Sequence, residues 1–436
     1  GGTVSVWTDT GSGYSQLLSA SDSTYDGGKA GIEGSGNITR LNGFKAGVLN
    51  FPGVTTEATT NVKANMATLN AVVNPEGLST SYQFEYGLTT AYGNKAPTSP
   101  VSAGSGTGNV GVSTGITGLA PGTTYHYRIV AASGSGTGQG KDKAFTTPVP
   151  TPTFQSSFGS LGTGNGQLKH PAGIAIDNQG NLWVVDQDND RVQKFNAAGE
   201  YQSSFGSPGS GDGQFGRPTD IAIDSTGNLW VTDAGNSRIQ KFNPAGGFLA
   251  KFGSFGSANG QFNGAESIAI DPKGNIWIGD TYNGRLQKFS ASGVFLQVVG
   301  SKGSGQGQFI EPTGIDVAPN GDVWVADWGN QRVAAFSESG SFIRQFGSEG
   351  SGNGQFKRPD VIEVDSAGYV WVGDQNNARI QRFTLSGEYV DQIGTAGSGP
   401  GQFSFSWPMG IDSGPSGSLW ISDTGNNRVQ KWSASP

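Results

Sequence analysis

The sequence predicts an all-β fold in which a six-bladed β-propeller follows N-terminal β-sandwich units. One phrase, first complete over residues 158–204, occurs six times at intervals of 47 residues, with a two-residue insertion before the last tryptophan. A repeat period of 20–50 residues is typical of solenoids and propellers. Four short strands fit within each copy, and four strands make one propeller blade. The 73 glycines and the low charged fraction of 14% suit short strands joined by many turns.

Three residue types recur at fixed places in all six copies. A tryptophan lies in the second strand, an aspartate ends that strand, and an arginine begins the third strand five positions later. We interpret this set as structural, because each tryptophan can bury roughly 150–250 Å² between blades. Each aspartate can pair with its arginine across the turn, or either can bind backbone of the next blade. The recurring residues are Trp183, Trp230, Trp277, Trp324, Trp371 and Trp420; Asp186, Asp233, Asp280, Asp327, Asp374 and Asp423; and Arg191, Arg238, Arg285, Arg332, Arg379 and Arg428.

The overall composition excludes several classes of partner. The net charge is −7 and no basic block occurs, whereas phosphate recognition needs clustered Lys and Arg. Neither nucleic acid nor an anionic membrane is therefore an expected partner, and no apolar run approaches the roughly 20 residues of a membrane span. The chain has no cysteine, which removes disulfides and thiolate sites. No signal peptide is visible at the start, as in a processed or trimmed chain or a cytosolic protein, but the domain types below favour secretion.

Residues 1–50 contain short alternating segments separated by turns, with strands expected at residues 3–7, 15–19, 29–33 and 41–48. The pattern resembles the last third of a LamG-like (concanavalin-type) jelly roll. Four short strands are too few to bury a core of their own, so three explanations stay open. The chain belongs to a longer protein, or a second copy or partner supplies the missing strands by donor-strand assembly, or the strands pack on the next domain. The second explanation would make residues 1–50 a homo-oligomer contact.

Residues 54–147 form a second unit, with alternating segments that predict half-buried antiparallel strands. The run GLAPGTTYHY at residues 118–127 resembles the tyrosine corner of a fibronectin type III sandwich, in which a tyrosine hydroxyl bonds to preceding backbone. Tyr125 and Tyr127 compete for this role, and Tyr125 is favoured. FEYG followed by AYG is similar to the bacterial version of the domain. The resemblance implies a spacer or a binding module more often than an enzyme.

A proline-rich segment, residues 148–152, predicts a stiff linker to a propeller over residues 153–436. The phrase PAGIAID…LWVVDQDNDRVQKF is similar to the NHL repeat, although variable residues replace the histidine that helped to name that family. The sixth copy lacks a fourth strand, while TFQSSF at residues 153–158 duplicates the fourth-strand phrase YQSSF. We therefore expect this N-terminal strand to complete the last blade. In the first copy the strands are expected at residues 173–177, 182–186, 191–195 and 201–205.

One turn of the first copy has a calcium-like pattern. Asp186, Asp188 and Asp190 mimic the beginning of a calcium-binding loop, but the following glycine and the distal glutamate are missing. The other copies do not keep the pattern. The sequence therefore predicts no metal and no other cofactor, and calcium at this turn stays as the alternative.

Positions that vary between copies point to a ligand site. The loop that enters each blade and the turn after its second strand are expected on the same face of the disc. Large aromatics occur there where small polar residues are usual, and acidic residues replace neutral ones beside the proline that begins each blade, at the mouth of the central channel. Aromatics with carboxylates suit stacking on a sugar or gripping a peptide, and an ordinary propeller face is the alternative. The candidate ligand-binding residues are Trp328, Tyr282, Trp407, Asp220, Glu266 and Asp360.

The NHL resemblance also brings lyases into consideration. Amidating lyases of this kind use zinc held by several histidines, and streptogramin-type lyases use a histidine base. A zinc site takes three or more protein ligands, but the chain has two histidines, His126 in the sandwich and His170 in the propeller, and no cysteine. His-rich zinc catalysis is thus excluded, and we predict no catalytic residue. A lyase or hydrolase that acts at the channel mouth by a single-histidine or all-carboxylate mechanism stays as the alternative.

These observations predict an extracellular, bacterial, multidomain binding or structural protein. Its propeller would be presented on a fibronectin-type stalk to a glycan or a protein ligand. A variant of this hypothesis makes the chain a subunit of a cell-surface assembly or filament, joined through residues 1–50.

Overall fold

The computed structural model describes residues 2–9, 14–22, 51–414 and 417–433. Strands Gly2–Asp9 and Tyr14–Asp22 pair as an antiparallel hairpin. The strands expected at residues 29–33 and 41–48 lie outside the described residues, and the LamG-like resemblance stays a prediction. The described part of the chain contains no α-helix, and no helix within it has the length and apolar character to cross a membrane.

The second unit folds into two antiparallel sheets that share one apolar core. Successive side chains of a strand point to opposite faces of its sheet, so alternate residues of each strand enter this core. The three-stranded sheet contains Gly53–Lys63, Met66–Asn74 and Val110–Thr117. The other sheet contains Thr80–Gly87, Asn94–Gly104, Thr124–Ser133, Gly136–Gln139 and Lys143–Thr146.

Tyr125 makes the hydrogen bond that the tyrosine-corner prediction requires. Its hydroxyl oxygen accepts from the backbone N–H of Ala120 at 3.0 Å. Tyr127 instead donates its hydroxyl to the carbonyl oxygen of Glu57 in the opposite sheet. The choice of Tyr125 over Tyr127 is therefore confirmed, while membership of the fibronectin type III family stays a prediction.

Six four-stranded antiparallel sheets follow as the blades of a propeller. In every blade a three-residue 3₁₀ turn joins the second strand to the third. Blades 1 to 3 contain Pro171–Ile176, Leu182–Asp186, Arg191–Phe195 and Tyr201–Phe205; Pro218–Ile223, Leu229–Asp233, Arg238–Phe242 and Phe248–Phe252; and Ala265–Ile270, Ile276–Asp280, Arg285–Phe289 and Phe295–Val299. Blades 4 to 6 contain Pro312–Val317, Val323–Asp327, Arg332–Phe336 and Phe342–Phe346; Pro359–Val364, Tyr369–Asp374, Arg379–Thr384 and Tyr389–Ile393; and Ile411–Ser413, Leu419–Asp423 and Arg428–Trp432. A two-residue parallel pair, Thr395–Ala396 with Gln402–Phe403, lies in the loop that leads into blade 6.

Blade 6 takes its fourth strand from the segment that precedes the first repeat. Phe154–Phe158 pairs with Arg428–Trp432 and completes a four-stranded sheet. The ring of Phe158 lies 4.5 Å from that of Phe195 and 6.0 Å from that of Trp420, centroid to centroid. The N-terminal strand therefore joins the two ends of the ring, which is the closure that the duplicated phrase predicts.

The recurring tryptophan, aspartate and arginine residues all belong to the scaffold, since every one of the tryptophans and aspartates is buried. In blade 3 the Asp280 carboxylate accepts hydrogen bonds from Asn263 N at 2.8 Å, Asn283 Nδ2 at 2.9 Å, Arg285 Nε at 2.7 Å and Gln287 Nε2 at 3.0 Å. Arg285 also donates to two carbonyl oxygens of the loop that leads into the blade. Each aspartate thus ties together the entering loop, the 3₁₀ turn and the third strand.

Blade 5 departs from the repeat where the proline-rich linker crosses it. Arg382 stands where the other blades have Lys or Ala, and its side chain is fully buried. It donates from Nη2 to the carbonyl oxygen of Pro150 and from Nε to Asp391, each at 2.8 Å. Its guanidinium carbon lies 5.1 Å from the Tyr369 ring and 4.8 Å from the Trp371 ring. These contacts fix the linker to the side of blade 5.

Candidate functional site

The first strands of the six blades line a channel along the propeller axis, with a cavity of about 220 Å³. Among the described residues its lining includes carboxylates but no Lys, Arg or His. Three of these carboxylates are candidates from the sequence, and three are not. The two groups are Asp220, Glu266 and Asp360, and Asp316, Glu363 and Asp412.

Five of the six channel carboxylates connect neighbouring blades. Each accepts a hydrogen bond from a backbone N–H of the next blade around the ring, and blade 1 follows blade 6. Buried acceptors normally have such partners, so this role is structural. The pairs are Asp220 with Ile268 at 2.9 Å, Asp316 with Val364 at 2.6 Å, Asp360 with Met409 at 2.9 Å, Glu363 with Ser413 at 3.1 Å and Asp412 with Ile176 at 2.6 Å.

Glu266 is the exception. The residue is 2% exposed, and neither carboxylate oxygen receives a hydrogen bond from the described residues. Arg217 approaches from the solvent side as an ion pair, with Nη2 lying 3.5 Å from Oε1 of Glu266, and the Arg217 side chain is 43% exposed. A buried carboxylate without hydrogen bonds costs free energy, so its presence calls for a role outside the scaffold.

Burial raises the pKa of the candidate carboxylates. It raises the pKa of Asp220 to about 7 and that of Glu266 to about 7, although Arg217 partly offsets the effect at Glu266. Burial also raises the pKa of Asp360 well above its usual range, and the charges of Glu266 and Asp220 add to the shift. At neutral pH Asp220 and Glu266 are therefore only partly ionised, and a nearby positive charge favours the ionised form of a carboxyl group.

One aromatic candidate lies near Glu266, and a second is connected to it through Arg217. Tyr282 is 41% exposed, in the 3₁₀ turn of blade 3. Its ring covers Gly264, where φ is +81° and where a Cβ atom would lie 2.6 Å from the ring and 3.5 Å from Oε1 of Glu266. Trp407 lies under Arg217, whose guanidinium carbon is 4.5 Å from the indole centroid. Tyr282, Glu266, Arg217 and Trp407 thus form one continuous group at the channel mouth, called here the mouth cluster.

Trp328 belongs to a separate pair. Its ring carries the guanidinium of Arg358 at 4.5 Å, and its Nε1 donates to Oε1 of Gln375 at 3.4 Å. The structure therefore places five of the six candidate residues in or beside the channel, and Trp328 against blade 5. At both Trp328 and Trp407 an arginine occupies a ring face on which a sugar would otherwise stack.

The acidic candidates are largely withdrawn from solvent. Glu266 and Asp360 are buried and Asp220 is half-buried, because all three side chains lie on the innermost strands and point into the channel. Tyr282 and Arg217 are more exposed. A ligand must therefore enter the channel mouth to meet the carboxylates.

His170 is held at both ring nitrogens. Nδ1 lies 2.7 Å from Oε1 of Gln187, and Nε2 lies 2.7 Å from Oγ of Ser406. Both ring nitrogens are thus engaged by neutral side chains. A neutral glutamine does not stabilise an imidazolium as the aspartate of a Ser-His-Asp triad does, and Ser406 Oγ also lies 3.1 Å from Thr424 Oγ1. We interpret this series of hydrogen bonds, from Gln187 through His170 and Ser406 to Thr424, as a link between blades 6 and 1.

The three aspartates of the calcium-like turn have separate partners. Asp186 accepts from the donors of its scaffold network. Asp188 forms an ion pair with Lys169 at 3.8 Å, and Asp190 accepts from the backbone N–H of Arg217 at 2.8 Å. Across the described residues no three His, Cys or acidic side chains are arranged to hold a metal ion. The geometry therefore does not gather these carboxylates around a shared cation.

Comparison between repeats missed three channel carboxylates, although a signal was present. The missed residues occupy the fifth position of the first strand, where blades 1 to 3 have alanine. A comparison restricted to positions beside the first proline does not reach them. The carboxylates at this position are Asp316, Glu363 and Asp412, and the alanines are Ala175, Ala222 and Ala269.

The NHL repeat model matches five segments of the chain, residues 168–195, 215–242, 262–289, 309–336 and 405–432. The segments include the first three strands of blades 1 to 4 and of blade 6. Blades 1 to 4 and blade 6 of the propeller therefore contain NHL repeats.

Solved structures with a similar fold include a protein of unknown function from Bacteroides thetaiotaomicron. It is 15% identical with a TM-score of 0.52, and the match covers 87% of this chain and 98% of that chain. A streptogramin B lyase structure is 18% identical with a TM-score of 0.47, and the match covers 65% of this chain and 98% of that one. At such identities the likeness concerns the fold alone.

Curated relatives share about one repeat with the chain. E3 ubiquitin-protein ligase TRIM71 from Rattus norvegicus and the protein of the same name from Mus musculus are each 42% identical over 45 residues, which is 10% of this chain. The chain spans only 5% of the length of these relatives.

Proposed function

We propose that this chain is an extracellular bacterial binding protein whose propeller recognises a protein ligand at the mouth cluster. The observation that carries the proposal is the contrast between two sets of residues. The recurring Trp, Asp and Arg residues are engaged in the scaffold, whereas residues that depart from the repeat gather at one end of the channel around a buried carboxylate that has an ion pair but no hydrogen bond from the described residues. The sandwich and the linker would serve as a stalk.

A protein ligand is favoured over a glycan by the state of the indole rings. Arg217 and Arg358 each cover one face of a tryptophan, so a sugar would have to displace a guanidinium before stacking. Tyr, Trp and Arg side chains are the types that dominate protein–protein binding energy, and the mouth cluster contains all three. Because a glycan ligand is the alternative, the ligand selection described below also includes glycans.

Binding is favoured over catalysis by the hydrogen bonds of His170. Both of its ring nitrogens are engaged, and the residue behind Nδ1 is a neutral glutamine. The competing class is a lyase or hydrolase that acts at the channel mouth. Turnover on a panel of lyase and hydrolase substrates that is lost in His170→Ala would overturn the proposal of a binding protein.

The extracellular assignment and the assembly role rest on domain order. A sandwich, a proline-rich linker and a propeller follow one another as in a displayed module, and residues 1–50 would join copies in the assembly variant. An antibody against the propeller is expected to label intact cells of the source organism. Light scattering of the full chain tests the assembly variant, which predicts a concentration-dependent oligomer and which a strictly monomeric chain would rule out.

Ligand selection tests the binding site directly. The full chain is screened against a phage-displayed random peptide library and against a glycan array. Peptides selected by the wild type are expected to lose at least about 10-fold in affinity with Tyr282→Ala or Trp407→Ala, as for central interface residues. Leu249→Ala is the matched control, because Leu249 is exposed on the outer strand of blade 2, away from the channel.

The outcomes separate the alternatives. A failure to select peptides, or peptides that bind both mouth variants as tightly as wild type, would overturn the proposed site. Selection of glycans that depend on Tyr282, with no peptide selected, would overturn the protein ligand in favour of a sugar.

A further inference from the structure

Of the six channel carboxylates, Glu266 differs from the other five in its hydrogen-bond partners. Five accept a backbone N–H from the next blade and so have a structural role, whereas Glu266 has no hydrogen-bond donor among the described residues. At the strand position of Glu266, blades 1, 2, 4 and 6 have a small or apolar residue or a threonine, and blade 5 has an aspartate. Both oxygens are buried and Oε1 pairs with Arg217, so a group that enters the mouth meets them when the Arg217 guanidinium moves away.

The surroundings of Glu266 suit a positive charge. The channel lining supplies Asp220 and Asp360 and no basic residue of the described chain. The rings of Tyr282 and Trp407 stand beside the mouth, and aromatic faces attract cations. Among the described residues the cation that reaches Glu266 is Arg217, which lies at 3.5 Å without hydrogen-bond geometry and is 43% exposed.

The channel carboxylates of the described residues are not arranged as the ligands of a metal ion. No three of the described acidic, His or Cys side chains form a metal-binding group. The channel is therefore a poor site for a compact ion that needs several ligands at once. An ammonium group on an extended apolar stem fits better, because it needs one carboxylate at its tip while its stem lies against apolar walls such as Ile221 and Ile268.

We propose that Glu266 receives the ε-ammonium group of a lysine on the protein ligand, and that this ammonium takes the place of the Arg217 guanidinium. The proposal rests on the proposed function, since the lysine belongs to the protein that binds the mouth cluster. Arg217 then acts as a competitor: it covers Glu266 in the free protein and moves toward solvent when the ligand binds. Lysine suits the site because its ammonium is a compact charge on a narrow flexible stem, unlike the broad planar guanidinium of arginine.

Calorimetric titration of the full chain at pH 8 with short peptides tests the proposal. The peptides are Ac-Gly-Lys-Gly-NH₂ and its counterparts with arginine, norleucine or ε-N-acetyl-lysine, and 1,4-diaminobutane is the free amine. The lysine peptide is expected to bind at least about 10-fold more tightly than the norleucine and acetyl-lysine peptides, since charge-assisted hydrogen bonds are the strong ones.

Two substitutions act in opposite directions if the proposal holds. Glu266→Gln is expected to lower the affinity for the lysine peptide at least about 10-fold, while Arg217→Ala is expected to raise it about 3- to 10-fold because a competing cation is lost. Arg358→Ala is the matched control, since Arg358 also stacks on a tryptophan at 4.5 Å but belongs to the separate pair with Trp328. Its affinity is expected to stay within about twofold of wild type.

Several results would overturn the proposal. They are equal binding of the lysine and acetyl-lysine peptides, unchanged affinity in Glu266→Gln, or a loss in Arg217→Ala as large as that in Glu266→Gln. Tight Glu266-dependent binding of 1,4-diaminobutane without binding of the lysine peptide would overturn the protein source of the ammonium. If selected peptides depend on Tyr282 but contain no essential lysine, the proposed function stands and this inference fails.

Discussion

Arg217 Nη2 lies 3.5 Å from Oε1 of Glu266, and this approach brings an exposed guanidinium to the carboxylate of a residue that is 2% exposed. The pair differs from the ion pairs of the scaffold. In the scaffold Asp280 is held by Arg285 and by three further donors, whereas Glu266 has no hydrogen bond from the described residues. The Arg217–Glu266 pair can therefore open without loss of the contacts that hold a blade together.

Glu266→Gln is expected to stabilise the protein at pH 8. Burial raises the pKa of Glu266 to about 7, so the folded state binds its proton more tightly than the unfolded state does. The stability contribution of this group is then fully present below its unfolded pKa and is lost as pH rises through about 7. Glutamine has no charge to lose, so thermal unfolding is expected to show a higher Tm for the variant at pH 8 and nearly equal values at pH 5.

Glu349→Gln controls for a general effect of charge removal, because Glu349 is exposed. The control is expected to show no comparable gain at pH 8. A Glu266→Gln variant that is less stable than wild type at pH 8 would contradict the interpretation of Glu266 as a carboxylate kept for binding.

Asp280→Ala is expected to destabilise the propeller strongly. The substitution leaves Arg285 and three other donors without their shared buried acceptor, and breaking a buried ion pair on one side costs about 3–5 kcal/mol. Urea unfolding measures the loss. Asp188→Ala, at an exposed aspartate of the turn in blade 1, is expected to change stability by less than about 0.5 kcal/mol. A comparable small effect of Asp280→Ala would show that the network is not part of the scaffold.

Arg382→Lys is expected to release the linker from blade 5. Lysine occupies the corresponding position in four other blades, so the blade should tolerate it, but lysine cannot reproduce the fork that joins Asp391 to the Pro150 carbonyl. Limited proteolysis is expected to cut residues 147–152 faster in the variant. Arg344→Lys on the outer strand of blade 4 is the control, and equal cleavage of the two variants would contradict the docking role of Arg382.

Phe158→Ala and Phe205→Ala are expected to cost about the same stability. Both residues end the fourth strand of a blade, and their rings lie 4.5 Å from Phe195 and 4.6 Å from Phe242, respectively. Because each ring is partly buried, a loss of about 2 kcal/mol is expected, below the 3–5 kcal/mol of a fully buried Phe. Urea unfolding of both variants checks this. A cost at Phe205 with none at Phe158 would show that the N-terminal strand is not an integral part of blade 6.

Most of the propeller follows from the sequence, because repetition multiplies the signal. A strand pattern that is ambiguous in a single copy becomes clear when the tryptophan at Trp183 and the aspartate at Asp186 have equivalents at the same positions of all six copies. The duplicated phrase at Phe154–Phe158 even identifies the strand that closes the ring. The first strand of blade 1 begins at Pro171, two residues earlier than expected. The reason is that Pro171 pairs with Asp186 at the end of the second strand.

The site follows from the sequence only in part. Departures from the repeat identify Glu266 and Tyr282, but their contact depends on Gly264, whose positive φ lets the ring of Tyr282 cover the backbone. The reach of Arg217 across to Trp407 is a three-dimensional fact that repeat alignment does not contain. The linker contact of Arg382 is equally invisible, since its partner Pro150 lies outside the repeats.

The ammonium site at Glu266 is best tested by a crystal structure of the full chain with a selected lysine-containing peptide, grown at pH 8. We expect the lysine nitrogen within about 3 Å of a Glu266 oxygen, the range of a charge-assisted hydrogen bond, with Arg217 turned toward solvent. A peptide bound elsewhere, or bound at the mouth with the Arg217–Glu266 pair intact and no ammonium at Glu266, would contradict it.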